Sequence, residues 1–432
     1  MMLRVSNWSE LGAAARQSLL RRPALADDAA QREACRAIVE QVRRGGDKAV
    51  AALTVRHDGV QLADLRVSSE ELRRAESAVS AQSQAAIDMA IANVRRFHAA
   101  QQPAPVAVDT MPGVRCERVC QPIDAVGLYV PAGTAPLPSA AIMLAVPATL
   151  ADCPVRILCT PPRADGSADP AVLVAAARAG VSDIFKIGGA QAIAAMAYGT
   201  ETVPKVCKVF GPGNRWVMLA KSLVSADPEG AAIDMPAGPS EVLVIADDRA
   251  SPRFVAADLL SQAEHGVDSQ VILICLGAPF AGQVNAEIET QLAGLPRAAI
   301  ARQSLGNSRA IIVRDIATAI EISNAYAPEH LIVQVESPRD QLDNIRNAGS
   351  VFLGPWTPES VGDYCSGTNH VLPTHGFARA YSGLGIEHFL RQMTVQELTP
   401  AGLAGIAGSV VELARLEGLD AHAAAVNLRL EA

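Results

Sequence analysis

Two stretches decide the fold: Asp183-Ile184-Phe185-Lys186-Ile187-Gly188-Gly189-Ala190-Gln191 and Val206-Cys207-Lys208-Val209-Phe210-Gly211-Pro212-Gly213-Asn214. Each reads as a short apolar strand, a glycine turn and the opening of a helix. Such turns present free backbone N–H groups and the positive end of a helix dipole, which suits a nucleotide phosphate. Neither matches G-x-G-x-x-G. Ordinary tight-turn glycine is the competing reading.

The same alternation extends outward. Residues 126–130, 155–159, 241–246, 270–276, 310–313, 331–335 and 350–353 read as further strands. Residues 171–180, 191–198, 215–224, 252–264, 316–325 and 337–347 read as helices between them. Strands alternating with helices predict an α/β chain of parallel sheets covered by helices, and two sheets are more economical than one very wide one. The first hundred residues are helical. One amphipathic run, 28–44, stops at Gly45-Gly46, and Ser68-x-x-Glu71 is a capping box opening the next. Gln101-Gln102-Pro103-Ala104-Pro105 breaks the run, and the last fifty residues read as an appended helical tail.

Composition narrows the function. Of 432 residues, 50% are hydrophobic and 19% charged, so the chain is globular rather than disordered. A net charge of -8 argues against a nucleic-acid partner. The eight cysteines show no framework spacing and read as reduced thiols of a cytoplasmic protein. Residues 125–151 are uncharged, but Pro131, Pro136, Pro138, Pro147, Gly127 and Gly133 suit a strand, a loop and a short helix rather than a membrane span. The N-terminus has no apolar core of signal-peptide length.

Chemistry-bearing residues gather late in the chain, and six of the eight histidines follow residue 264. Together Ser261-Gln262-Ala263-Glu264-His265, Glu329-His330, Asp363 and His422 offer nitrogen and oxygen donors for a divalent metal and an acid/base pair. Gln262 and His265 share a helix face. Glutamine is unusual for zinc, so Glu264 with His265 is an alternative pairing, as is a histidine that merely meets the helix-end carbonyls. The segment from Glu359 to His370 reads as a loop, either functional or solvated. Glu329 and His330 precede a strand, where neighbours point to opposite faces. Both reach one substrate only if the backbone at Pro328 is irregular; otherwise they are a salt-bridging pair at a strand edge.

The ordered set of motifs resembles the histidinol dehydrogenase family over nearly the whole chain. It comprises Tyr129-Val130-Pro131, Gly188-Gly189-Ala190-Gln191, Gly211-Pro212-Gly213-Asn214, residues 233–241, Gln262-Ala263-Glu264-His265, Pro328-Glu329-His330-Leu331, Gly362-Asp363-Tyr364 through His370, and Glu417-Gly418-Leu419 before His422. Ala132 departs from the glycine usual in the turn after Tyr129. The resemblance implies two incomplete Rossmann-like parallel-sheet domains with a helical N-terminal arm and a helical C-terminal tail. The expected segments are an arm at 1–24, a discontinuous first domain at 25–128 and 241–384, a second domain on the NAD side at 129–240, and a tail at 385–432 that reaches the partner of a homodimer with shared active sites. It implies zinc, one per subunit, on Gln262, His265, Asp363 and His422, with Glu329 and His330 catalytic. It further implies NAD on Tyr129, Gln191 and Asn214, and substrate on Ser240, Glu417, His330 and the zinc ligands. The implied reaction takes L-histidinol through the aldehyde to L-histidine with two NAD, the last step of histidine biosynthesis. A dehydrogenase for another polar alcohol and a zinc hydrolase using Glu329 to activate water are the rival readings.

Overall fold

The computed structural model describes residues 2–22, 29–132, 135–236 and 238–431. The expected helix start at Asp28 and the positions Gly133 and Ala237 lie outside them. Fourteen strands are found among the described residues. In chain order they are β1 (Arg4–Asn7), β2 (Val106–Met111), β3 (Val114–Pro122), β4 (Ala125–Tyr129), β5 (Val155–Thr160), β6 (Asp183–Lys186), β7 (Lys208–Phe210) and β8 (Ala232–Ile233). There follow β9 (Glu241–Ala246), β10 (Gln270–Cys275), β11 (Arg309–Ile312), β12 (His330–Gln334), β13 (Ser350–Leu353) and β14 (Leu390–Leu398).

Eleven of them form two parallel sheets, β6-β5-β4-β7-β8 and β1-β11-β10-β9-β12-β13, as the alternation of strands and helices predicts. The central strands are fully buried and apolar apart from polar residues at the ends of β9, β10 and β12, as strands covered on both faces must be. In the five-stranded sheet β4 lies between β5 and β7, so the direction of winding reverses at β4. Ligands of open α/β sheets sit beyond the strand C-termini at such a reversal. Tyr129 ends β4 and Phe210-Gly211 ends β7 at that crevice.

Cys35, Val39, Val42, Val50 and Leu53 of the helix Ala29–Asp58 pack with Tyr129, Phe185 and Ile193. Ile87, Ile91 and Val94 pack with Val126, Leu128 and Leu144. The early helices therefore cover the five-stranded sheet, not the six-stranded one, and β4 is its central strand. The first helical run ends at Gly45-Gly46 as expected: Gly46 is non-helical (φ 51°, ψ -139°), and a second run follows across the kink to Asp58. Ser68 caps its helix by accepting from Glu71 N–H (3.1 Å), but the Glu71 carboxylate accepts from Ala168 N–H instead of closing the box.

The arm contributes strand β1, which pairs with β11. The tail is not helical throughout: β14 pairs antiparallel with β3, and β3 with β2, before two helices, Pro400–Leu416 and Asp420–Leu430. Residues 338–344 form a 3-10 turn where a helix was expected. No helix among the described residues is long and apolar enough to cross a membrane, and all eight cysteines are unpaired.

Candidate functional site

A cleft of about 800 Å³ lies between the C-terminal edge of the five-stranded sheet and the N-terminal edge of the six-stranded one. Tyr129, Gln191 and Asn214 line one side; Ser240, Gln262, His265, Glu329, His330 and Asp363 line the other. Glu417 and His422 do not line it. Both are exposed, on the helical hairpin of the tail.

On the nucleotide side both glycine turns open helices into the cleft. Tyr129 Oη accepts from Gly189 N–H (3.0 Å), and burial pushes the phenol's pKa up, so it stays a neutral hydroxyl. Gln191 is buried and donates to Asp58 Oδ2 (3.4 Å). Asn214 caps its helix, its Oδ1 accepting from Trp216 N–H (3.0 Å) and Val217 N–H (3.2 Å). Gly211 has φ +122°, and a Cβ there would sit 2.1 Å from Tyr129 O. A buried ion pair holds this turn: Asp234 Oδ2 accepts from Gly211 N–H (2.8 Å), and Lys221 Nζ donates to Gly211 O (2.9 Å) and to Asp234.

Strand alternation does not separate Glu329 from His330, because β12 begins only at His330 and Ala327, capping the helix Ile316–Tyr326, takes the left-handed region (φ 55°, ψ 69°) just before them. Glu329 and His330 are both buried, and both line the cleft. One residue of β9 holds them. Glu241 N–H donates to Glu329 Oε2 (2.7 Å), and Glu241 O lies 3.1 Å from His330 Nδ1. A carbonyl can only accept, so His330 Nδ1 carries the hydrogen and Nε2 is the free ring nitrogen. Nε2 is buried, without a hydrogen-bond partner, and 3.7 Å from Asp363 Oδ1. Burial opposes charge on His330, but the carboxylates of Glu329, Glu359 and Asp363 outweigh it and raise its pKa well above the ordinary value.

The helix Pro252–Ala263 ends before His265, which follows on a turn with its N–H donating to Gln262 O (3.2 Å). Gln262 and His265 nevertheless share the cleft. Asp363 stands not in a loop but on the short helix Glu359–Tyr364. Positions 359 and 363 are four apart, so Glu359 and Asp363 share a face. Donor atoms of His265, Glu359 and Asp363 lie within 4.8 Å of one another. Glu359 was not foreseen. It is buried, and desolvation first, opposed by His330, brings its carboxyl to about 8. With its amide oriented to suit its neighbours, Gln262 donates to Glu359 (3.1 Å to Oε2). Asp363, where burial is outweighed by His330, His370 and His265, stays below the usual carboxylate range. His370 also lines the cleft with a buried, unpartnered Nε2, and burial lowers its pKa. The signal for Glu359 was its i−4 spacing from Asp363; His370 had none beyond its place in a segment rich in small polar residues.

Comparison with known proteins agrees with this layout. A family profile described as histidinol dehydrogenase matches residues 20–430. The chain is 55% identical over 428 residues to histidinol dehydrogenase of Xanthomonas axonopodis pv. citri, covering 99% of both chains. It is 51% identical over 431 residues to that of Colwellia psychrerythraea, covering 100% of this chain and 99% of the relative. The crystal structure of histidinol dehydrogenase from Elizabethkingia anophelis superposes with a TM-score of 0.95 at 45% identity, over 99% of this chain and 98% of that one. The profile over nearly the whole chain and these likenesses place the chain in the histidinol dehydrogenase family, and it is an NAD-dependent oxidoreductase.

Proposed function

We propose that the chain oxidises L-histidinol through the aldehyde to L-histidine, using two NAD and one zinc ion per subunit, at the last step of histidine biosynthesis. The observation that carries this reading is the placement of Glu329 and His330, both held by the backbone of Glu241, in the same cleft as the nucleotide turns.

The donor set suits zinc. The imidazole of His265 and the carboxylates of Glu359 and Asp363 bring donor atoms within 4.8 Å of one another, in a cleft also lined by the buried, unpartnered ring nitrogens of His330 and His370, and hard and borderline donors of this kind hold a divalent metal. Gln262, His265 and Asp363 would hold it, together with His422 of the partner subunit, since His422 does not line the cleft of its own chain. Bound zinc would chelate the amine and imidazole nitrogens of the substrate, and bound NAD would accept a hydride in each oxidation.

The protein's own residues manage protons. His330, with Nδ1–H committed to Glu241 O, takes the hydroxyl proton on Nε2 as hydride leaves. Glu329 is anchored through Oε2, so Oε1 remains to take a proton from the water that hydrates the aldehyde. Tyr129, Gln191 and Asn214 contact the dinucleotide. Ser240 and Glu417 of the partner subunit join Gln262, His265, Asp363 and His330 around the substrate; an anionic Glu417 suits its amine. Chelator treatment of the purified protein should abolish NADH formation from histidinol, and zinc should restore it. Full activity in rigorously metal-free protein, or no NADH from zinc-loaded protein, would overturn the reading.

A further inference from the structure

Arg22, at the end of the N-terminal arm, has no role in the chemistry above, yet it touches both segments that position the acid/base pair. Its Nε and Nη2 form a fork on the two carboxylate oxygens of Glu241, Nη2 at 2.9 Å from Oε2. Nη2 also donates to Tyr326 O (2.9 Å) and Ala327 O (3.2 Å). The guanidinium lies over the Tyr326 ring, 3.9 Å from its centroid. The two side chains are largely enclosed, 11% and 3% exposed. His375 N–H adds a third donor to Glu241 Oε1 (3.0 Å).

These partners are the residues on which the pair depends. Glu241 supplies the N–H that holds Glu329 and the carbonyl that faces His330 Nδ1. Ala327 is the left-handed residue that turns the chain into Pro328-Glu329-His330. A left-handed alanine persists only where its surroundings over-determine it, and Arg22 grips its carbonyl. One planar cation, more than two hundred residues away along the chain from either, thus ties the start of β9 to the entry of β12. A guanidinium can fork onto both carboxylate oxygens in fixed planar geometry while also meeting the two carbonyls; an ammonium, a point charge, offers no such fork.

We propose that Arg22 is a positioning residue: from the N-terminal arm it clamps Glu241 to the Tyr326–Ala327 turn so that Glu329 and His330 meet the same substrate. The proposal rests on the reading of Glu329 and His330 as the acid/base pair. An ion pair that served stability alone would lower the melting temperature without selectively slowing the chemistry.

The test compares Arg22→Ala, Arg22→Lys and His330→Asn in the full-length, zinc-loaded protein. A displacement of about 1 Å at a reacting group costs roughly 100-fold. Arg22→Ala is therefore expected to lose about 100-fold in kcat for histidinol, with KM for NAD and zinc content unchanged, because the nucleotide turns and metal-site residues lie on other segments. Arg22→Lys should recover only part. Millimolar guanidinium should restore part of the rate of Arg22→Ala and none of that of His330→Asn. An unchanged kcat in Arg22→Ala would overturn the proposal, as would a loss that follows zinc loss and that guanidinium does not relieve. If Arg22→Ala does not fold, wild-type kcat in folded Arg22→Lys overturns it instead. Near-normal turnover in His330→Asn would remove the acid/base reading itself, whatever Arg22 does.

Discussion

A single carbonyl sets the tautomer of His330: Glu241 O can only accept, so it fixes a hydrogen on Nδ1 and leaves Nε2 as the nitrogen proposed to act as base. Replacing His330 with Asn should slow both oxidations, since each releases a proton, by roughly 100- to 10,000-fold. Glu329→Gln should slow oxidation of supplied aldehyde at least as much as that of the alcohol, because it acts where water is activated. The same variant should move the pH profile. Among the charges that raise the pKa of His330, Glu329 is the largest. Removing it lowers that pKa, so the ascending, acid-side limb of kcat/KM, which rises as His330 loses its proton, should shift to lower pH. A limb that stays put or moves up would contradict the electrostatic account. At this scale much of the site was legible in sequence: Gln262, His265, Glu329, His330 and Asp363 share one cleft. Glu359, Glu241 and Arg22 were not. Their parts depend on contacts between segments far apart in the chain, and a buried carboxylate or arginine carries no local signature of its partner.

The glycine turn after β7 shows what an element contributes. Gly211 combines positive φ with a close approach to Tyr129 O, and its N–H and carbonyl are both taken by the buried Asp234–Lys221 pair. An added Cβ has no room, and the backbone angle is one that alanine resists. Gly211→Ala should therefore raise KM for NAD at least about tenfold and cost roughly 1–3 kcal/mol of stability. Initial rates and thermal melts measure these two effects, and an unchanged KM with an unchanged melt would show that the turn does not need glycine. The core strands were readable because a strand buried on both faces is a continuous apolar run. Strands β2, β3 and β14 were not: they form an antiparallel ribbon, largely exposed, whose mixed side chains lack that run. Strand β1 is four residues of mixed polarity at a sheet edge, too short for a period to show. The helix Glu359–Tyr364 was hidden by its composition, with Gly362 packed where a Cβ would meet the Phe352 ring at 2.7 Å.

At the scale of the whole molecule the tail is the decisive feature. Its two helices pack mainly on each other around Val411, Ala414 and Ala423, while Leu413, Leu416, Leu419 and Leu428 stay exposed. Glu417 and His422 sit on this hairpin, outside the cleft. A crossed tail in a homodimer would cover the leucines and complete each site. Mixing two inactive variants, His265→Ala and His422→Ala, checks this. If the tail acts in trans, a mixed dimer has one site with both defects and one intact site, and activity should return toward half the native value per mixed dimer. With confirmed subunit exchange and no recovery, the tail acts in cis.

The central claim is that one cleft carries out both oxidations, with His330 and Glu329 serving in turn. The most direct measurement is the ratio of NADH formed to histidinol consumed by the zinc-loaded protein, with the product identified. The account predicts two NADH for each histidine and no free aldehyde in solution. One NADH per histidinol with aldehyde released, or product formed without NADH, would contradict it.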